Sequence, residues 1–411
     1  MRTEFLLIGI GAAVLLSYWF HHLGRVLRLP SVVFLLATGL IARAAAQGFG
    51  VPLEPPAALL PLLGTVGLIL IVLEGALDLE LKAGQRPFLL RTSGAALAGV
   101  LAFVLPVGAL LHYTVGLDWA GAFLVAAPFA VISSAVAIPA AGLLAPRERE
   151  FVVYESSWSD IFGVMAFNAA AVAFEGGGAT TNLVVGGVAV LAIGTCIGLA
   201  MYWLVGHLEG HVKFMPLIFA LILVYGAAKA LHLSPLLIVM LLGLLLNNAA
   251  LLRRVRWLAP LHSAHYGVEL GKLKHLTAEA TFLARTFFFL LLGYQTDLAS
   301  LADPRAWALA VPVVLLVAGL RWLVLRALVG PRTRPLLWVS PRGLITVLLF
   351  YSLPAGLVPA AFPRGALILV VLLSCVVMAA GLRADAAPGA VPAEVDEEEE
   401  SDPDEAAGSA R

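Results

Sequence analysis

At 411 residues, with 61% hydrophobic and 13% charged residues and a mean hydropathy of +0.96, the chain is far too apolar for a soluble protein and reads as an all-α polytopic membrane protein. A formal net charge of zero leaves no basic surface for nucleic acid, so no nucleic-acid partner is expected. Cys196 and Cys375 each lie inside an apolar run, which excludes a disulfide framework and a thiolate metal site.

In chain order, roughly thirteen apolar spans are expected, near 4–22, 30–47, 57–79, 88–112, 118–143, 150–174, 182–206, 214–231, 234–250, 278–298, 305–328, 335–354 and 363–382. The first, from Phe5 to Phe20, lacks a basic leader and a small-residue cleavage site, so it is kept as a membrane helix. Residues 251–277 mix Arg253, Arg254, Arg256, Lys272 and Lys274 with apolar residues and read as an interfacial segment. The membrane domain is expected over 1–383. Residues 384–411, with the run EVDEEEESDPDE, read as a disordered acidic cytoplasmic tail.

Loop charges test that count. With alternate loops assigned to opposite sides, one side collects Arg25, Arg28, Lys82, Arg86, Arg147, Arg149, Arg332 and Arg334, and the other receives few basic residues. The positive-inside bias then predicts an external N-terminus and a cytoplasmic C-terminus, and the plasma (inner) membrane is the expected location.

Two stretches repeat. LRLPSVVFLLATGL from Leu27 is matched by LHLSPLLIVMLLGL from Leu231, and GALD at 75–78 by GYQTD at 293–297. Each pair lies seven spans apart, so the copies are expected to be inverted. The halves are placed at about 4–174 and 214–382, joined through a linker helix at 182–206, a plan typical of secondary transporters. The fifth and twelfth spans correspond under this pairing, and both are broken by proline. Pro139 should free the carbonyl of Ala135, and Pro341 that of Leu337. Unwound backbone at membrane depth survives where it is buried in protein or lines a cavity, and two such helices are expected to cross.

The sixth span, REFVVYESSWSDIFGVMAF, carries carboxylates where they are expensive. With a rise of about 1.5 Å per residue, Asp160 lies roughly 15 Å deep, near the middle of a hydrocarbon core about 30 Å thick. Ser156, Ser157 and Asp160 share a face, whereas Glu155 points away from it, so the two acids should do different work. Asp160 is the candidate carrier and the ligand of a transported Na+ or K+, with Ser133, Ser134, Ser156 and Ser159 lining the cation site as hard oxygen ligands. A carboxylate taken out of water must be neutralised by a proton or a cation, which makes the two compete. Arg342 and Glu155 lie about 7 to 11 Å deep by helical rise and are expected to form a structural ion pair. Glu74 and Arg285 are accessory candidates that either pair with each other or leave Arg285 reaching for the interface.

These residues resemble the monovalent cation:proton antiporters with the sodium/proton antiporter fold. The resemblance runs through LRLPSVVFLLATGL, LILIVLEGALDLELK, YESSWSDIFGVMAF, RTFFFLLLGYQTDL and SPRGLITVLLFYSLP. It implies that Asp160 falls on the shared cation and proton carrier, with Glu155 and Arg342 on the partner pair. It also implies a homodimer in which a core domain slides against a dimerisation domain. Ser159 stands where the family has Asn or Asp, and ISSAV where many relatives carry Thr-Asp-Pro, features closer to the potassium-efflux branch.

The expected function is exchange of Na+ or K+ for H+ by alternating access, contributing to pH homeostasis. One carrier acid implies one cation per proton and electroneutral exchange, and a second acid at position 159 would change that charge balance. The alternatives from other classes are a cation channel and a non-transporting sensor built on the same fold. A membrane enzyme would gather histidines and acids, whereas here the histidines lie mostly in loops. His207 and His211 have metal-compatible spacing but read as a solvated helix end. Neither catalysis nor a cofactor is expected.

Overall fold

The computed structural model describes residues 3–27, 29–49, 59–81, 83–142, 144–174, 179–207, 214–230, 235–249, 263, 265–330, 333–354, 356–358, 362–363 and 365–385. All the regular structure among them is helical, as the composition requires. In order the helices are α1 (Thr3–Leu27), α2 (Ser31–Gly48), α3 (Leu59–Asp78), α4 (Arg86–Val115), α5 (Trp119–Ala130), α6 (Ser134–Ala141), α7 (Pro146–Phe174) and α8 (Ala179–His207). They continue with α9 (Phe214–Ala230), α10 (Pro235–Asn247), α11 (Tyr266–Gln295), the short α12 (Leu298–Ala302), α13 (Pro304–Leu328), α14 (Arg334–Trp338), α15 (Leu344–Tyr351) and α16 (Gly365–Asp385).

Among the described residues, ten stretches are long and apolar enough to cross a membrane, with α5 and α6 together forming one of them. The centre is built from α3, α5, α6, α15 and α16, whose apolar side chains are largely buried. At the periphery, α1 turns Leu7, Leu15 and Tyr18 outward, as lipid contact demands.

The tenth span differs from expectation. Residues 266–277 are not a separate interfacial piece but the first turns of α11, which runs unbroken for 30 residues. The stretch GVELGKLKHLTAEA contains no proline and is rich in helix formers, so nothing interrupts it. Residues 251–262 and the tail lie outside the described residues.

Close helix contacts occur where glycine replaces a side chain. α2 meets α11 at Gly39 and Gly293, where a Cβ on either would run into a backbone carbonyl of the facing helix, Leu290 or Leu36. α10 meets α3 at Gly243, where a Cβ would run into Ala76. These contacts exchange places under the pairing of spans read from the sequence. The helix ends show the same exchange: Arg43 on α2 donates to the carbonyl of Gln295 (2.8 Å), and Asn248 beyond α10 donates to that of Leu79 (2.8 Å) and accepts from the N–H of Leu81.

The fifth and twelfth spans are both interrupted, α5 and α6 by Val131–Ser133 and α14 and α15 by Val339–Gly343. In the first, Val131 and Ser133 are extended (ψ 128° and 110°), so the helix ends before Pro139 rather than at it. The two breaks lie against each other in the middle of the fold.

Candidate functional site

The crossing is fixed by backbone. The Ser133 N–H donates to the carbonyl of Pro341 (2.9 Å), joining the two breaks directly. Gly343 is needed for this approach, because a Cβ there would overlap the Ser133 side chain. The Arg342 N–H donates to Ser374 Oγ (2.9 Å), which ties the second break to α16. These freed amides thus find partners in protein, as they must where water is absent.

Asp160 projects from α7 toward this crossing and is 6% exposed. Its Oδ2 accepts from Ser134 Oγ (2.5 Å), the first residue of α6. Its Oδ1 has no hydrogen-bond partner among the described residues. The carboxylate borders a pocket of about 10 Å³ between α3, α7 and α10, walled by Ser157, Gly75, Leu236 and Met240 among others. A buried carboxylate oxygen with no donor, beside a hydroxyl and a small void, is hard-ligand chemistry suited to a dehydrated alkali cation. Among the described residues no three His, Cys, Asp or Glu side chains gather, so the arrangement does not resemble a divalent or transition-metal cage.

The serines named from sequence divide. Ser134 touches Asp160. Ser133 serves the crossing through its backbone. Ser156 and Ser157 both return their hydroxyls to the Val153 carbonyl (3.3 and 2.9 Å), and only Ser157 borders the Asp160 pocket. Ser159 accepts from the N–H of Ile132 (2.9 Å), within the first break, and faces a different cavity on the other side of α7. Its hydroxyl therefore props the unwound backbone open from the side away from Asp160's pocket.

The expected Glu155–Arg342 pair is corrected. Glu155, 2% exposed, binds Arg321 of α13 through two parallel bonds, Nη1 to Oε1 (3.0 Å) and Nη2 to Oε2 (2.9 Å). Arg321 Nε also donates to the carbonyl of Leu336 (2.8 Å). The fork geometry of guanidinium matches a carboxylate, so Arg321 saturates Glu155. Arg342 turns its donors to carbonyls instead, Nε to Phe129 (2.6 Å) and Nη1 to Ser340 (3.3 Å). Phe129 lies in the last turn of α5, and the Ser133 N–H that would close on its carbonyl goes to Pro341 instead, so Arg342 supplies the missing donor. Sequence reasoning missed Arg321, whose signal was a charge seven residues inside the end of α13, two turns in from Leu328.

Arg285 does not reach for the interface. Its Nη1 donates to the carbonyl of Ala135 (2.9 Å), the acceptor that Pro139 leaves without an N–H, and the guanidinium lies within electrostatic reach of Glu74. His207 Nδ1 is bonded to the Trp203 carbonyl (2.8 Å) and its ring stacks on Trp203, which leaves it a helix-end residue. His211 lies outside the described residues.

A helical membrane protein in which two interrupted helices cross beside a buried, half-satisfied carboxylate has the architecture of a secondary active transporter. The chain belongs to the sodium/hydrogen exchanger family, whose transmembrane region it matches over residues 11–384. Its fold is similar to two structures of the sodium proton antiporter MjNhaP1 from Methanocaldococcus jannaschii. One, at pH 8, has a TM-score of 0.71 and 19% identity and covers 94% of this chain and 99% of that one. The other, an electron-microscopy structure, has a TM-score of 0.66 and 18% identity and covers 94% and 100%. At that identity the likeness is one of fold. Family membership makes the chain an integral membrane cation/proton antiporter.

Proposed function

We propose that Asp160 is the shared carrier, taking up either H+ or one monovalent cation, Na+ or K+, and presenting it alternately to the two sides of the membrane. One observation carries this reading: of the carboxylate's two oxygens, one is held by Ser134 and the other has no partner. The incoming cation is bound at Oδ1, with Ser134 Oγ and Ser157 as neighbouring oxygens. The same oxygen accepts the proton, so the two ligands exclude each other.

Because one acid carries both loads and Ser159 adds no charge, the exchange is one cation for one proton and electroneutral. The remaining elements of the reading are inverted halves, a homodimer, a plasma-membrane setting with external N-terminus and cytoplasmic C-terminus, and a role in pH homeostasis. The sequence repeat and the exchanged glycine contacts support the inverted halves, the loop charge bias supports the orientation, and the homodimer and the role in pH homeostasis follow from the family resemblance.

The test uses purified protein in liposomes with a trapped pH dye, challenged in turn with Li+, Na+, K+ and Rb+. A saturable proton flux driven by Na+ or K+ and unaltered by a clamped membrane voltage is expected. Currents in planar bilayers at rates beyond carrier speed would instead identify a channel, and absence of any cation-driven flux a non-transporting sensor.

A further inference from the structure

The far side of α7 holds a second polar chamber that cation exchange does not use. It is a cavity of about 30 Å³ between α4, α7, α13 and the two breaks, bordered by Glu155, Ser159, Arg321, Ser340 and Arg342. Small residues of α4, Ala95, Ala96 and Gly99, leave the space. It is large enough for a water molecule or an ion of slightly greater size.

Its charges do not balance. Glu155 is spent on Arg321, and both are buried, at 2% and 7% exposure. Arg342, 3% exposed, has no carboxylate partner among the described residues. Two of its nitrogens donate to carbonyls, its carbon lies 5.9 Å from the Phe103 ring centre, and Nη2 makes no hydrogen bond to a described residue. Two guanidinium groups and one carboxylate thus surround a space that no other charged side chain borders. Asp160 faces the opposite pocket. Carbonyl dipoles and an aromatic face ease a buried cation without cancelling its charge, and a low-dielectric wall strengthens whatever anion approaches it.

We propose that this cavity binds one small monovalent anion of the halide class, chloride under ordinary conditions, at the free edge of Arg342. Water alone fills the volume but leaves the charge. The space admits chloride or bromide and rejects sulfate and organic anions. The bound ion neutralises the arginine that holds the end of α5, so it steadies the crossing without entering the transport reaction.

The test is thermal unfolding of the purified full-length protein in detergent, at constant sodium and ionic strength, with chloride, bromide, gluconate or sulfate as the anion. A saturable rise of a few degrees is expected with chloride and bromide and not with the other two. Ser159→Asp places a fixed carboxylate on the cavity wall and should remove the halide dependence; Ala96→Leu fills the space and should do the same. Asp160→Asn, in the other pocket, should keep the full rise whether or not it transports. Equal midpoints in all four salts would overturn the proposal, as would a rise that survives in both Ser159→Asp and Ala96→Leu or disappears in Asp160→Asn.

Discussion

Glu155 and Asp160 stand five residues apart on one helix, both buried at membrane depth, yet their surroundings are opposites. Glu155 gives both oxygens to one guanidinium, in a bidentate pair that closes on α13. Asp160 meets one residue, Ser134, through its hydroxyl and its backbone amide, and keeps one oxygen without a hydrogen-bond partner among the described residues. On the proposed reading, the difference separates a structural acid from the carrier. A carboxylate whose acceptor capacity is filled by a fixed cation has nothing to offer a mobile one, whereas a half-satisfied carboxylate remains unstable until a proton or an alkali ion arrives.

The sharpest break of this contrast is Asp160→Asn, which keeps the shape and removes the charge. Cation-driven proton flux in liposomes should fall to background while the protein elutes and unfolds as the parent does. Next comes Glu155→Gln, which strands Arg321 in the interior. It should lower stability by about 3–5 kcal/mol, seen as a large drop in unfolding midpoint, and Glu155→Leu with Arg321→Met should recover much of the loss.

If one oxygen serves both ligands, cation affinity must follow proton concentration. On the acid side of the transport profile, each pH unit downward should raise the apparent cation constant about tenfold, with maximal rate unchanged at saturating cation. A smaller effect is expected from Ser134→Ala. Loss of one hydrogen bond worth about 1 kcal/mol to the charged form should weaken apparent cation affinity by roughly fivefold and leave the fold intact. An unchanged affinity would place the cation away from α6.

Much of this was readable before any coordinates, and for one reason: oil punishes polar groups. That is why Asp160, the paired proline breaks and the apolar spans stood out. What could not be read was direction around the helices. Helical rise placed Glu155 and Arg342 at one depth but said nothing of which way α13 turned Arg321, which reads in sequence as an anchor near a span end. Helical spacing puts Ser156 and Ser157 on the Asp160 face, yet of the two only Ser157 borders the Asp160 pocket, and Ser159, expected in the cation-site lining, falls on the other cavity. The start of α11 was obscured because a helix that continues beyond the lipid turns polar, and its pattern then imitates a segment lying along the surface.

The bond from Arg285 to the carbonyl of Ala135 ties together two positions remote in sequence. That carbonyl is available only because proline at 139 withholds an amide hydrogen. Replacing Pro139 with alanine would supply a local donor that competes with the guanidinium and leaves Arg285 to Glu74 alone. Positions 139 and 285 therefore behave as a single chemical unit, and substitutions at the two should be strongly non-additive.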